Sequence, residues 1–169
     1  MDRRFWRAFL PRLSSAAAPA KRRRSSFQRE GSKHGPEQLH VILATPGLRK
    51  SFYGHLEREH ANENLEFMFW VNKYRSRWET LKPSDVRALA VQIYRHFISL
   101  DGEAPVNISA EVSKALKLAI MESKEELIAR NVFEDAVGEI TVMLERDGLQ
   151  RFVATPSYKM EVVVAELGL

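Results

Sequence analysis

The 169-residue chain contains no cysteine, which excludes disulfide bridges and thiolate metal sites and fits a reducing compartment. Its glycines never form the loop that cradles a phosphate, and neither a His-Glu-x-x-His metal motif nor a nucleophile elbow occurs. Histidine is sparse and scattered, at His34, His40, His55, His60 and His96. His55 and His60 are five apart, off the three-or-four spacing that stacks side chains on one helix face. Carboxylate pairs such as Glu57/Glu59 and Glu125/Glu126 read as solvated helix faces. No catalytic residue, metal or cofactor is therefore expected. Long hydrophobic runs are also missing: Phe67–Val71 is five residues, against the ~20 that a membrane span needs. No signal-peptide core is seen, and no fixed-period repeat suggests a solenoid.

What is present is helical. Phe67 to Val71 leave no face for water over more than a turn, the mark of a buried central helix, and Glu63 and Asn64 sit where that core meets solvent. From Glu37 onward the periodicity is regular. Leu39, Ile42 and Leu43 make a short amphipathic element stopped near Thr45-Pro46, with Thr45 a cap and Pro46 at the first helical position. Leu48, Phe52, His55 and Leu56 mark a second helix, and the central helix follows from a cap at Asn62 to about Trp78. Ser84 and Asp85 are expected to open the next, whose Val86, Leu89, Ala90, Ile93, Tyr94 and Phe97 follow the 3.6-residue repeat. A turn over 101–105 breaks it. Ser109 caps a helix with Val112, Ala115, Leu116, Ala119 and Ile120 facing inward. Asn131 with Glu134 looks like a capping pair before Phe133, Ala136, Val137, Ile140, Met143 and Leu144. Val162 to Val164 is strand-like and reads as helix end or extended tail. The fold class is all-α, a bundle of roughly seven to nine helices. The expected division is a tail over 1–36, one domain over 37–160 and a C-terminal tail over 161–169.

Charge separates tail from body. The net +4 hides a split: residues 1–38 hold ten of the 26 Lys/Arg and three of the 22 Asp/Glu, a balance of +7, which leaves 16 basic and 19 acidic residues, or −3, in the rest. A mildly acidic body argues against nucleic-acid binding. Within the tail Phe5, Trp6, Phe9, Leu10 and Leu13 form one helical stripe beside Arg3, Arg4, Arg7 and Arg12. Such a stripe can lie in an anionic membrane interface, although Pro11 would keep the anchor short. An Arg- and Ser-rich mitochondrial presequence and a plain basic linker are the alternatives. Lys21-Arg22-Arg23-Arg24 before Ser25 resembles a basophilic kinase site, where phosphate would add roughly −1.5 to −2 charges and weaken lipid attraction.

Three polar clusters lie at helix ends: Glu59 with Glu63-Asn64; Val106-Asn107-Ile108; and Met143 with Asp147 and Arg151. Each has a plain explanation, as a cap, a turn residue and a surface ion pair of ~0.3–0.5 kcal/mol. In this order, however, they resemble the regulator of G-protein signalling family. The similarity runs from about Leu39 to Tyr158. It is carried by Gly47-Leu48 with Phe52 and Leu56, by Glu63-Asn64-Leu65-Glu66-Phe67 with Tyr74, and by Ile93-Tyr94 with Phe97-Ile98. Val106-Asn107-Ile108, Phe133 with Ala136, and Met143 through Asp147 to Arg151-Phe152 complete it. Two departures stand out. Met68 takes the place of the family's tryptophan, and Ala61 or Asn62 replaces a serine before the Glu-Asn pair. The segment 107–133 is also a few residues longer than in compact members.

The resemblance implies a helical domain that accelerates GTP hydrolysis by GTP-bound Gα subunits; a monomer without a cofactor is expected, cytoplasmic and held by its basic tail at the inner face of the plasma membrane. Asn107 would steady the Gα glutamine that orients the attacking water. Glu63 and Asn64, with Glu59 beside them, would meet the switch surface. Asp147 would accept hydrogen bonds from a switch loop, with Arg151 holding it in place, and Met143 would add an apolar contact. The alternative is a scaffold of the same fold with no effect on Gα, its switch-binding face altered by the departures.

Overall fold

A computed structural model describes residues 36–167. The tail readings at Arg3, Arg4, Phe5, Trp6, Arg7, Phe9, Leu10 and Ser25 lie outside the described residues. Those described form seven continuous helical runs and no strand: α1 (Pro36–Ala44), α2 (Pro46–Arg58), α3 (Glu63–Arg77), α4 (Pro83–Ile93), α5 (Ala110–Leu116), α6 (Glu134–Met143) and α7 (Pro156–Leu167). Three of them run on through a wider π turn: α4 through Tyr94–Ile98, α5 through Lys117–Glu122, and α6 through Leu144–Gly148 into Leu149–Val153. The all-α reading holds.

The core is built on α3. Phe67, Met68, Phe69 and Val71 are buried, and Trp70 is half-buried with the Lys73 ammonium 4.3 Å above its ring. Phe67 meets Phe97 and Phe133 edge-on at 5.8 and 6.0 Å, and Tyr74 meets Phe133 at 5.5 Å, which locks α3 to α4 and α6. Each fully buried aromatic removes enough apolar surface to contribute ~1.5–3 kcal/mol. A second aromatic group joins α2, the end of the α6 run and α7: Phe152 lies 5.0 Å from Phe52 and 5.4 Å from Tyr158. Gly148 passes so close to α2 that a Cβ there would come within 2.9 Å of Leu56 Cδ2.

The long segment before α6 is tied down by donors from α3 and α4. The Tyr74 hydroxyl donates to the carbonyls of Ile128 and Ala129 at 3.0 and 2.9 Å, and Trp78 Nε1 donates to Ile128 at 2.8 Å. Arg87 donates to the carbonyls of Ile120, Ser123 and Glu125, closing the C-terminal end of the α5 run where free carbonyls gather.

Several local expectations are corrected. The fourth helix opens at Pro83 with Lys82 as its cap, not at Ser84-Asp85, because proline suits the first helical position. Ala115 and Ala119 face solvent; only Leu116 and Ile120 are buried there. Thr45 and Asn62 occupy cap positions without capping: Thr45 Oγ1 donates back to Val41, and Asn62 Nδ2 donates to Glu66 Oε1. Phe133, not Asn131, is the cap of α6, and Asn131 offers only its carbonyl to the Glu134 N–H. Of the two options for Val162 to Val164, helix end holds: they continue α7, which runs on past residue 160. There Glu161 accepts from the Ser51 hydroxyl at 3.0 Å and lies against Gly47, whose missing side chain makes room for it.

Candidate functional site

The turn between α2 and α3 is set by a left-handed residue. His60 has φ 54°. The Ala61 N–H returns to the Leu56 carbonyl at 2.9 Å and the His60 N–H to Glu57 at 3.2 Å, the paired bonds that close a helix with one residue in the left-handed region. The chain reverses within four residues, which sets Glu59 on one side of the turn and Glu63-Asn64 on the other. Asn64 is only 4% exposed. Its Nδ2 donates to the Ala61 carbonyl at 3.1 Å and to Glu63 Oε1 at 2.8 Å, while its Oδ1 is buried without a partner. Asn64 thus braces the turn from beneath, and Glu63 stands nearer the surface. Burial pushes the Glu63 carboxyl above its usual range, opposed by the hydrogen bonds it accepts.

Glu59 is gripped from across the fold. Arg151 Nε and Nη2 donate to its two oxygens at 2.8 and 2.9 Å, a bidentate pair joining residues 92 apart in sequence. The expectation that Arg151 holds Asp147 is therefore corrected. The guanidinium forks onto Glu59, and Asp147 acts on it only as a nearby negative charge. Arg151 holds the Glu59 carboxyl below its ordinary range, and desolvation partly offsets this. His55 Nε2 lies 3.4 Å from Glu59 Oε1 without a hydrogen bond, and burial of its ring beside Phe152 pushes its pKa down.

A carboxyl whose folded pKa lies below its unfolded value stabilises the fold above the unfolded pKa, here 4.5, and loses that contribution as pH falls through the folded value. Arg151→Ala is expected to lower stability at pH 7 by no more than about 1 kcal/mol, since the pair is partly exposed. The gap from wild type should close on acidification. Urea midpoints measured down the acid limb check this; a gap that stays constant with pH would contradict it.

The α6 run is the spine of the site. Glu139, Met143, Asp147 and Arg151 recur every four residues along it, with Met143 half-buried and Asp147 exposed. Asp147 sits within the π turn Leu144–Gly148, a local widening often found where a helix carries function. The loop bearing Asn107 comes to the same helix. Its Val106 N–H donates to the Phe97 carbonyl at 2.8 Å, and Ser109 meets Glu139 through both its N–H and its hydroxyl, each at 2.7 Å. Asn107, between these anchors, is exposed. One line therefore connects the Asn107 loop, Met143, Asp147, Arg151 and Glu59, and Glu59 lies across the short turn from Glu63. Sequence reasoning missed Glu139, which by pattern alone is one more helical acid. Among the described residues no cluster of three or more His, Asp or Glu side chains is arranged to hold a metal, and no helix is long and apolar enough to cross a membrane.

Residues 38–160 match the sequence model of the Regulator of G protein signaling domain. Regulator of G-protein signaling 16 of Homo sapiens is 25% identical over 142 residues, covering 76% of this chain and 66% of that protein. Regulator of G-protein signaling 20 of Bos taurus is 27% identical over 118 residues, covering 70% of this chain and 29% of that one. Axin-2 of Danio rerio is 27% identical over 123 residues, 72% of this chain but 14% of that protein. The chain spans less than two thirds of the length of each of these relatives.

Proposed function

This chain belongs to the regulator of G protein signaling domain family, and on that premise we propose that it accelerates GTP hydrolysis by Gα subunits. The chemistry stays with Gα, which carries an arginine in cis and a glutamine that orients the attacking water. Its switch loops visit the hydrolysis-ready arrangement only part of the time. A partner that binds this arrangement more tightly than the ground state lowers the barrier by the difference.

The observation that carries the proposal is the exposure of Asn107 and Asp147 on backbone that is fixed from both sides. In this reading Asn107 steadies the switch glutamine, and Asp147 accepts hydrogen bonds from a switch loop. Met143 packs beside them, and Glu63 meets the switch surface with Asn64 bracing it from below. Arg151 and Glu59 hold the end of the spine to the α2–α3 turn, and the pairing leaves the Asp147 carboxylate free to accept. A fixed side chain loses less entropy on binding than a mobile one. The departures from the family pattern are compatible with activity. Met68 is buried, where methionine fills irregular space. The longer segment is anchored at Tyr74 and Trp78, roughly 16 Å or more along α3 from Glu63.

Single-turnover GTP hydrolysis by a panel of Gα subunits tests the proposal. At least one should turn over faster with the chain present. Binding without acceleration anywhere in the panel would leave the scaffold reading in its place.

The tail is proposed to bring this activity to the inner face of the plasma membrane, because a balance of +7 sits beside an aromatic stripe. The 169-residue chain should co-sediment with vesicles containing anionic lipid, less so at high salt, and deletion of residues 1–24 should abolish this while sparing activity in solution. Equal sedimentation of both proteins would refute it. Import into isolated mitochondria with cleavage of the tail would favour the presequence.

A further inference from the structure

We infer that Glu139 is a positioning residue for the activator function, acting through Asn107. This rests on the activator reading above. Asn107 lies in the loop between α4 and α5, and no regular element includes it. Its N-terminal neighbour is held to the α4 run: Val106 donates to the Phe97 carbonyl at 2.8 Å, and Ala104 donates to the His96 carbonyl at 3.2 Å. On the other side the first fixed point is Ser109, the cap of α5, and what fixes it is Glu139.

The Glu139 carboxylate takes both of Ser109's donors, one on each oxygen. The Ser109 N–H donates to Oε2 and its hydroxyl to Oε1, both at 2.7 Å. The hydroxyl oxygen also accepts from the Val112 N–H at 3.3 Å, so one serine caps α5 and ties it to α6. The bonds accepted by a charged carboxylate are stronger than neutral ones. Without them the hydrogen bonds of Ala104 and Val106 hold the loop only on its α4 side, and Ile108-Ser109 and the start of α5 gain backbone freedom that docking must remove again. The same side chain sits one turn before Met143 on the spine, so Glu139 sets the distance between the Asn107 amide and the Met143–Asp147 contact. A rigid element that carries two contacts at a fixed separation gains the second at little further entropic cost.

The chemistry of the clamp separates its variants. Glu139→Gln can keep both bonds, with its carbonyl oxygen accepting from the Ser109 N–H and its amide donating to the hydroxyl oxygen. Glu139→Ala keeps neither. Glu139→Ala in the full chain is expected to reduce single-turnover acceleration of a responsive Gα by about tenfold, and Glu139→Gln to recover most of it. If Glu139 acts through Asn107, Asn107→Ala and the double variant Asn107→Ala/Glu139→Ala should be nearly equal, because in a cycle two residues that act together are not additive. A purely structural glutamate would give losses that multiply. Amide exchange in the free chain reads the same clamp without Gα: the Ser109 N–H should exchange at least about tenfold faster in Glu139→Ala, with the α3 amides unchanged.

If the wild-type chain accelerates no Gα, the activator reading fails and this inference fails with it. If wild type accelerates but Glu139→Ala matches it, or the two losses multiply in the double variant, the inference alone is overturned. Should Glu139→Ala not fold, Glu139→Gln decides: full acceleration and wild-type Ser109 exchange support the clamp, and a tenfold loss with unchanged Ser109 exchange sinks it.

Discussion

Asn107→Ala is expected to remove most of the acceleration of Gα while leaving the fold intact. The side chain is exposed, in a loop held by Val106 and Ser109 rather than by its own amide. Surface substitutions of this kind usually change stability by within ~0.5 kcal/mol. On the proposed reading, what is lost is an amide that meets the water-orienting glutamine only when the switches are ready for hydrolysis. An interaction made only in the transition state appears wholly in the rate, tenfold for each ~1.4 kcal/mol. Asn107→Ala should therefore slow stimulated hydrolysis by at least about tenfold, with a melting temperature within a degree or two of wild type. If the variant unfolds, the residue is part of the turn's architecture. If it accelerates as well as wild type, the amide does not reach the switch.

The second large effect is expected at Asp147, and it should fall on binding. The carboxylate is exposed within the π turn, and the Arg151 guanidinium is forked onto Glu59 rather than onto Asp147. A carboxylate free to accept hydrogen bonds is worth ~1.5–3 kcal/mol when it meets donors away from water. Asp147→Ala should weaken affinity for Gα carrying a transition-state mimic by about ten- to a hundredfold, with little change in unfolding. Asp147→Asn keeps the shape and loses the charge, so it should fall between the two. Wild-type affinity in Asp147→Ala would remove this residue from the interface.

The helical body was legible in the sequence because each helix buries one face, and burial leaves a 3.6-residue signature that needs no partner to be read. Leu48-Phe52-Leu56 and Val86-Ala90-Ile93-Phe97 are read this way, and all seven are buried. Helix ends were harder. Thr45, Asn62 and Asn131 have the chemistry of caps, but Thr45 turns to the preceding helix, Asn62 to Glu66, and Asn131 contributes backbone. A short polar side chain has several local partners of similar energy, and the tertiary surroundings choose among them. Pairs across the fold were not legible at all. Helical spacing offers Arg151 as a surface partner for Asp147, four residues away, and the family resemblance implies that it holds Asp147 in place; its actual partner Glu59 is brought close by the packing of Phe152 on Phe52. Glu139 and Ser109 meet for the same kind of reason, through the return of the 106–109 loop to α6. Pattern also placed Asn64 on the surface beside Glu63, whereas the left-handed turn at His60 tucks it underneath.

The central claim is preferential binding of one Gα conformation, and affinity for the separate nucleotide states tests it most directly. A responsive Gα would be titrated with the full chain in three forms: with GDP, with a non-hydrolysable GTP analogue, and with GDP plus a planar fluoride mimic of the transferring phosphoryl group. If the chain stabilises the hydrolysis-ready arrangement, the mimic-bound form should bind tightest, by at least about tenfold over the GTP analogue, with GDP weakest. Equal affinity for the mimic and the GTP analogue would contradict it, because a partner that binds both states alike cannot lower the barrier between them.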